Sequence, residues 1–286
     1  MRGPYSPRMT ADASPTFRAA AAALGTGEGH RVWSLIVTIF GDLAQGPGDA
    51  ISGPVLSRLT GLMGIKPQAM RVALHRLRKD GWLESARSGR ASTHFLTAYG
   101  RAQSAAATPR IYGAGATDPG LWHLLVSGGA EGRGSAQLEA YSQSGDYLAL
   151  GSQAILAPGP LPVDHPGLVG VQTDAVAVPD WLRAQICPED VLAACDDLHA
   201  AFEAVARVLQ TGGTLRADEC AALRALVVHS WRRVILRHPD LPGGFFPQGW
   251  RGGACRAQFS GLMAALPAPG LGSLEATRVA DDSTRD

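Results

Sequence analysis

Residues 67–79 combine basic and polar side chains in a regular spacing. Four apolar residues recur at i, i+3, i+4 and i+7: Met70, Ala73, Leu74 and Leu77. This spacing predicts a helix with one buried face. The opposite face carries Gln68, Val72, His75 and Lys79, flanked by Arg71 and Arg76. Pro67 suits the first helical position, where its missing N–H costs no hydrogen bond, and Gly81 is expected to end the helix.

The exposed face of this helix has the chemistry needed to bind double-stranded DNA. Arg71 can form a bidentate pair with guanine in the major groove, and Gln68 can pair with adenine. Val72 and His75 belong to the same candidate contact surface. Phosphate contacts position a protein without specifying sequence. Three basic residues are better placed for phosphates: Arg76, Arg78 and Lys79.

The elements around the basic helix follow an ordered pattern. Two helices are predicted before it and two strands after it, at Val32–Ala44, Gly53–Met63, Trp82–Arg87 and Arg90–Leu96. The turn Ser88-Gly89 has Arg87 and Arg90 on either side, where they can enter the minor groove or hold the DNA backbone. This order predicts a winged helix-turn-helix whose third helix lies in the major groove. Alone, the basic helix would be more typical of a solvated amphipathic surface.

Charge is distributed unevenly along a chain of 286 residues with net charge +1. Residues 30–101 hold ten basic and four acidic residues, a balance of +6, so the remainder carries −5. This asymmetry indicates a polyanion-binding module on a body with another role. The hydrophobic content of 45% excludes wholesale disorder, and the length favours two or three domains.

Signals of other protein classes are weak. The sequence has no Walker A, G-x-S-x-G or H-E-x-x-H motif, so we expect no enzyme, cofactor or metal. The four cysteines are far apart and predict buried thiols rather than disulfides. No apolar run reaches the roughly 18 residues of a membrane span, and Phe17–Leu24 is too weakly apolar for a signal peptide. We therefore expect a cytoplasmic protein.

Two blocks of the sequence resemble the PaaX-type family of transcriptional repressors of phenylacetic acid degradation. Three stretches resemble the family's opening helix, recognition helix and wing entry: Leu35–Asp42, Met70–Leu77 and Gly81–Leu83. Further stretches are similar to its C-terminal signature of an Arg-Arg helix, Pro-Asp-Leu-Pro and Pro-x-x-Trp: His229–Arg233, Arg237–Pro242, and Pro247 with Trp250. The blocks occur in the family's order.

The resemblance implies an α+β fold with three parts. They are an N-terminal winged helix-turn-helix, a central small ferredoxin-like (Cas2-like) domain and a C-terminal helical domain. We accordingly predict a flexible N-terminal extension at 1–29, the winged helix-turn-helix at 30–101, a linker at 102–119, the ferredoxin-like domain at 120–180, a helical effector and dimerisation domain at 181–266, and a disordered tail at 267–286.

The resemblance also implies a homodimeric repressor of operator DNA, released by phenylacetyl-CoA or another acyl-CoA. Arg232 and Arg233, with Trp231 beside them, have the chemistry for such an effector. Alternatively, the arginines pair with acids and the aromatic side chains fill the core. Two other functions stay open: DNA binding without a small-molecule switch, and a Cas2-like metal-dependent nuclease. The nuclease is disfavoured because Leu121–Val126 offers no carboxylate for magnesium.

Overall fold

The computed structural model describes residues 13–25, 32–88, 91–129, 133–143 and 147–276. These residues form helices and two small antiparallel sheets, which confirms the predicted α+β class. They separate into two units. The larger unit draws on residues 1–113, 194–236 and 251–286, and the smaller on 114–193 and 237–250. This division differs from the predicted series of consecutive domains, because the C-terminal helices join the N-terminal ones.

The described residues in the N-terminal part of the larger unit form five helices and three strands. In chain order they are α1 (Pro15–Ala23), α2 (Val32–Leu43), β1 (Ile51–Ser52), α3 (Gly53–Leu62), α4 (Pro67–Lys79), β2 (Leu83–Ser88), β3 (Ala91–Leu96) and α5 (Ala98–Tyr112). The strand order is β1-β3-β2, all antiparallel. The bounds of α2, α3, α4, β2 and β3 agree with prediction to within about one residue, because apolar periodicity and glycine stops are local signals.

The smaller unit is built on a four-stranded antiparallel sheet. Its elements are β4 (Trp122–Ser127), α6 (Arg133–Gln143), β5 (Leu148–Ala149), β6 (Ala154–Pro158), β7 (Leu168–Thr173) and α7 (Asp180–Ile186), with a short 3₁₀ turn at Gly243–Phe245. The strand order is β5-β6-β4-β7. One face packs Leu125 and Ile155 against Leu138 of α6. The other face packs Trp122 and Leu156 in a second apolar cluster with α7 and the 3₁₀ turn.

The larger unit is completed by α8 (Glu189–Thr211), most of which belongs to it, α9 (Ala217–Ile235) and α10 (Gly252–Ala265). Helix α9 packs against α1, α2, α3, α5 and α10. Residues on all sides of it are therefore buried, among them Leu223, Ala225 and Trp231, each 0% exposed. As predicted, none of the four cysteines, all within the described residues, forms a disulfide; Cys187, Cys195 and Cys255 are buried, whereas Cys220 is half-buried.

Three predictions about the segments between domains are wrong over the described residues. The supposed extension contains α1, where Phe17 and Ala20 are 0% exposed and the Ser14 side chain caps the helix by accepting from the Phe17 N–H. The supposed linker is mostly α5, because its alanine-rich composition favours helix. The start of the supposed tail packs through Leu274, which is 0% exposed; residues 277–286 lie outside the described part.

Candidate nucleic-acid interface

Helix α4 is held so that its basic face points away from the core. Met70, Ala73, Leu74 and Leu77 are all buried, and the helix packs against α2, α3 and β2. At its end, Gly81 has a φ of +73°, a conformation that glycine adopts without the strain a side chain would impose. The chain can therefore leave the helix and enter β2 directly.

The predicted contact residues of α4 all lie on its solvent side. Seven are exposed: Gln68, Arg71, Val72, His75, Arg76, Arg78 and Lys79. Val72 is the unusual member, because an aliphatic side chain 61% exposed in the middle of a helix has no packing role there. The predicted geometry of this face is confirmed, whereas its contact with DNA stays a prediction.

The basic residues of this face differ in their existing partners. Arg76 forms an exposed ion pair with Asp80, with 3.3 Å between Nε and Oδ2. Its guanidinium also lies 5.1 Å from the ring centroid of Trp33. Within the described part of the chain, Arg71 and Lys79 form neither an ion pair nor a side-chain hydrogen bond. These two side chains are therefore available to an external anion, whereas Arg76 already contacts Asp80 and Trp33.

The hairpin of β2 and β3 stands next to this helix. The strands pair along their full length from Leu83↔Leu96 to Ser88↔Ala91, which confirms the predicted hairpin. Arg87 is exposed near its tip, opposite Ser92. Arg90, the other predicted wing residue, lies outside the described residues. The pairing of β1 with β3, through Ile51↔His94 and Ser52↔Thr93, was not predicted from the sequence.

His94 connects the hairpin to the charge of α4. Its side chain is buried, and Nδ1 lies 2.7 Å from the Ser85 hydroxyl. Burial lowers the pKa of this imidazole, and the positive charge of Arg78 lowers it further. Sequence inspection gave no reason to select His94 among the scattered histidines. Its only local signal is an inward position on the alternating strand β3.

The structure does not bring the three candidate effector residues together. Trp231 is 0% exposed and its indole N–H donates to the Ile111 carbonyl at 2.9 Å, so its assignment to a ligand site is wrong and the core interpretation applies. Arg233 is exposed. Arg232 is half-buried beside a cavity and donates to the Thr38 hydroxyl at 2.6 Å. Adjacent residues on a helix point about 100° apart, which explains the separation.

The described residues contain no group of three or more His, Cys, Asp and Glu side chains placed to hold a metal ion. His123, on the first strand of the smaller unit, has ring nitrogens near the Gly159 carbonyl and the Tyr147 hydroxyl.

In the part of the chain that the structure describes, no helix has the length and apolarity of a membrane span.

Comparison with known proteins identifies the class of protein to which this fold and surface belong. A family model described as PaaX-like protein matches residues 31–100. A second, described as PaaX-like protein C-terminal domain, matches residues 189–275. Together they cover more than half of the sequence, and the chain belongs to the PaaX-like family, as the sequence resemblance predicted.

Individual relatives are more distant. The chain is 27% identical over 243 residues to the transcriptional repressor PaaX of Escherichia coli (strain K12), an alignment that covers 78% of this chain and 76% of that protein. Among solved structures, it is similar to the uncharacterized protein Rv0674 from Mycobacterium tuberculosis, at 22% identity and a TM-score of 0.47, covering 86% of this chain and 97% of the other.

Proposed function

We propose that this protein is a cytoplasmic, homodimeric transcriptional repressor that binds operator DNA through a winged helix-turn-helix. The observation that carries the proposal is the exposed basic and polar face of α4, held over a fully apolar buried face beside a two-stranded wing. Membership of the PaaX-like family and the printed role of the E. coli relative support it.

In this proposal α4 enters the major groove with its N-terminal half toward the base edges. Gln68 and Arg71 read adenine and guanine. The exposed side chain of Val72 contacts a thymine methyl group, which explains an aliphatic residue on a polar face. His75 adds a further polar contact. The phosphates are held by the remaining basic residues: Arg76, Arg78, Lys79, Arg87 and Arg90.

The fold of the smaller unit and the release of DNA complete the proposed mechanism. We assign the smaller unit to a ferredoxin-like (Cas2-like) domain because the run β4-α6-β5-β6-β7 gives the strand order expected of such a sheet. It departs from that pattern in joining β6 to β7 by residues 159–167 without a helix. An aryl-CoA thioester such as phenylacetyl-CoA, or another acyl-CoA, releases the DNA by binding better to the state that does not bind DNA.

The test is fluorescence anisotropy of a labelled duplex from upstream of the gene, compared with a random duplex at fixed salt, with and without phenylacetyl-CoA. The proposal expects specific binding that is lost when the thioester is added. Specific binding that ignores the thioester would support DNA binding without this switch. Equal affinity for both duplexes would contradict sequence-specific repression at that site.

Two variants test the orientation of α4. Arg71→Ala removes a base contact, so it should cost about 1–3 kcal/mol on the specific duplex and reduce discrimination. Lys79→Ala removes a phosphate contact, so it should weaken binding to both duplexes alike. The slope of log affinity against log salt concentration should fall in magnitude by about one. Equal small effects of both variants on both duplexes would contradict the placement of α4 in the groove.

A further inference from the structure

A small cavity in the larger unit lies between α2, α5 and α9. Its wall combines apolar side chains, including Val37, Ile111 and Val228, with the polar residues Thr38, Ser104 and Arg232. The volume is about 20 Å³, and the cavity is partly open to solvent. This is room for roughly one water-sized group, and the open side leads from it toward solvent.

Arg232 brings a positive charge to this cavity and forms no ion pair with a carboxylate of the described residues. Its Nη1 donates to the Thr38 hydroxyl at 2.6 Å. Its Nε is buried and has no hydrogen-bond partner within the described residues. Burial lowers the pKa of the guanidinium, although an arginine stays charged in proteins. A desolvated charge without an opposite charge is costly.

The carboxylate in the cavity wall is already paired with another arginine. Asp42 also lines the cavity, but Arg224 holds it through two hydrogen bonds, Nε to Oδ2 at 2.7 Å and Nη2 to Oδ1 at 2.9 Å. The Tyr112 hydroxyl donates to the same carboxylate at 2.6 Å. Asp42 is thus paired with a different arginine, and no ion pair to Arg232 occurs among the described residues.

A second polar group in the cavity wall also lacks a partner. The Ser104 hydroxyl is buried and makes no hydrogen bond within the part of the chain that the structure describes. A hydroxyl can donate one hydrogen bond, so the cavity wall holds two unused donors, one charged and one neutral. These donors and the apolar side chains around them fit an anionic acceptor that carries a hydrocarbon substituent.

We propose that this cavity binds the carboxylate group of a small organic acid, through Arg232 and Ser104. A carboxylate matches the planar guanidinium better than a spherical anion does, and one of its oxygens fits the enclosed volume while the rest extends through the open side. The apolar wall and the open side accommodate the start of a hydrocarbon substituent. The inference does not depend on DNA binding, and it differs from the thioester switch because a thioester has no free carboxylate.

The test measures thermal unfolding of the full-length protein in buffer free of chloride and phosphate, at constant ionic strength. Sodium acetate and sodium phenylacetate are titrated against acetamide and phenylacetamide. A ligand that binds only the folded state raises the Tm with concentration. We expect a rise with the carboxylates and none with the amides. A rise with the amides, an equal rise with chloride, or no rise at all would overturn the proposal.

Substitutions test whether the carboxylate binds at this cavity. Arg232→Met should weaken acetate binding, measured by calorimetry, at least about tenfold, without lowering the Tm of the unliganded protein. Arg233→Met, next to it but exposed, is the matched control and should bind as the wild type does. If Arg232→Met fails to fold, Ala107→Leu fills the cavity wall while leaving the charge in place and should abolish binding. Unchanged binding in both cavity variants would contradict the assignment, whatever the DNA measurements show.

Discussion

His94 shows how one buried side chain makes stability depend on pH. Its imidazole is 6% exposed and contacts the Ser85 hydroxyl through Nδ1. Burial, and then the charge of Arg78, hold its pKa below the usual 6.5. When the pH falls below 6.5, the unfolded chain therefore binds a proton before the folded protein does. The stability contributed by neutral His94 is present above that pH and is lost as the pH falls toward the lowered pKa.

We expect His94 to make the free energy of unfolding depend measurably on pH. Between about pH 6.5 and the lowered pKa, the free energy of unfolding should fall by up to about 1.4 kcal/mol per pH unit. His94→Asn keeps an acceptor for Ser85 but does not titrate, so its slope should be smaller. Urea unfolding at several pH values measures both, with His75→Asn at an exposed position as the control. Identical slopes in the wild type and His94→Asn would rule out His94 as the source.

At the scale of elements, the contact between α2 and α9 combines apolar packing with one buried ion pair. Residues 35–40 of α2 are all buried, because α4 covers one side of the helix and α9 another. At the end of α2, Asp42 is paired with Arg224 of α9. Burial and the Asp42 carboxylate raise the pKa of Tyr112 far above its usual value, so its hydroxyl stays a donor.

Removing one member of this pair should destabilise the larger unit strongly. Asp42→Ala leaves a buried guanidinium without its partner, and we expect a loss of about 3–5 kcal/mol in the free energy of unfolding. Asp80→Ala breaks the exposed pair with Arg76 and should cost less than about 1 kcal/mol. Chemical denaturation compares the two. The double variant Asp42→Ala with Arg224→Met should recover part of the loss; a strictly additive double variant would show that the pair is not coupled.

The elements also show what could be predicted from the sequence. Helices α2, α3 and α4 were predicted because their apolar spacing and their glycine stops lie within the segment itself. The sequence of α5 predicts a linker, not a helix, since its small residues produce no apolar stripe. The exposed face of α4 follows from the same local spacing. The burial of Trp231 cannot be predicted from local spacing, because it depends on Ile111 and Phe259, which are distant in sequence.

At the scale of the whole molecule, the two units are interleaved along the chain. The larger unit uses three separate stretches of sequence, and the smaller uses two. Helix α9, which follows the smaller unit's strands, packs on α1, α2, α3 and α5. The N-terminal helices and hairpin therefore do not possess a complete core of their own.

A fragment tests this dependence directly. Residues 32–112 contain α2 to α5 and the hairpin, but the apolar surface covered by α9 would be exposed to water. We expect the isolated fragment to show no cooperative thermal transition, or a Tm far below that of the full chain, by circular dichroism. The full-length protein under the same conditions is the control. A sharp transition at the full-length Tm would show that the N-terminal part is an autonomous domain.

The placement of α9 and α10 late in the sequence has a consequence for synthesis. A chain emerging from the ribosome exposes α4 long before the helices that support α2 and α3 have been translated. Long-range contacts of this kind form last. We therefore expect nascent chains and products of truncated messages to lack a firmly positioned α4. Only a chain translated through α9 and α10 can hold the basic face of α4 on its complete set of supporting helices.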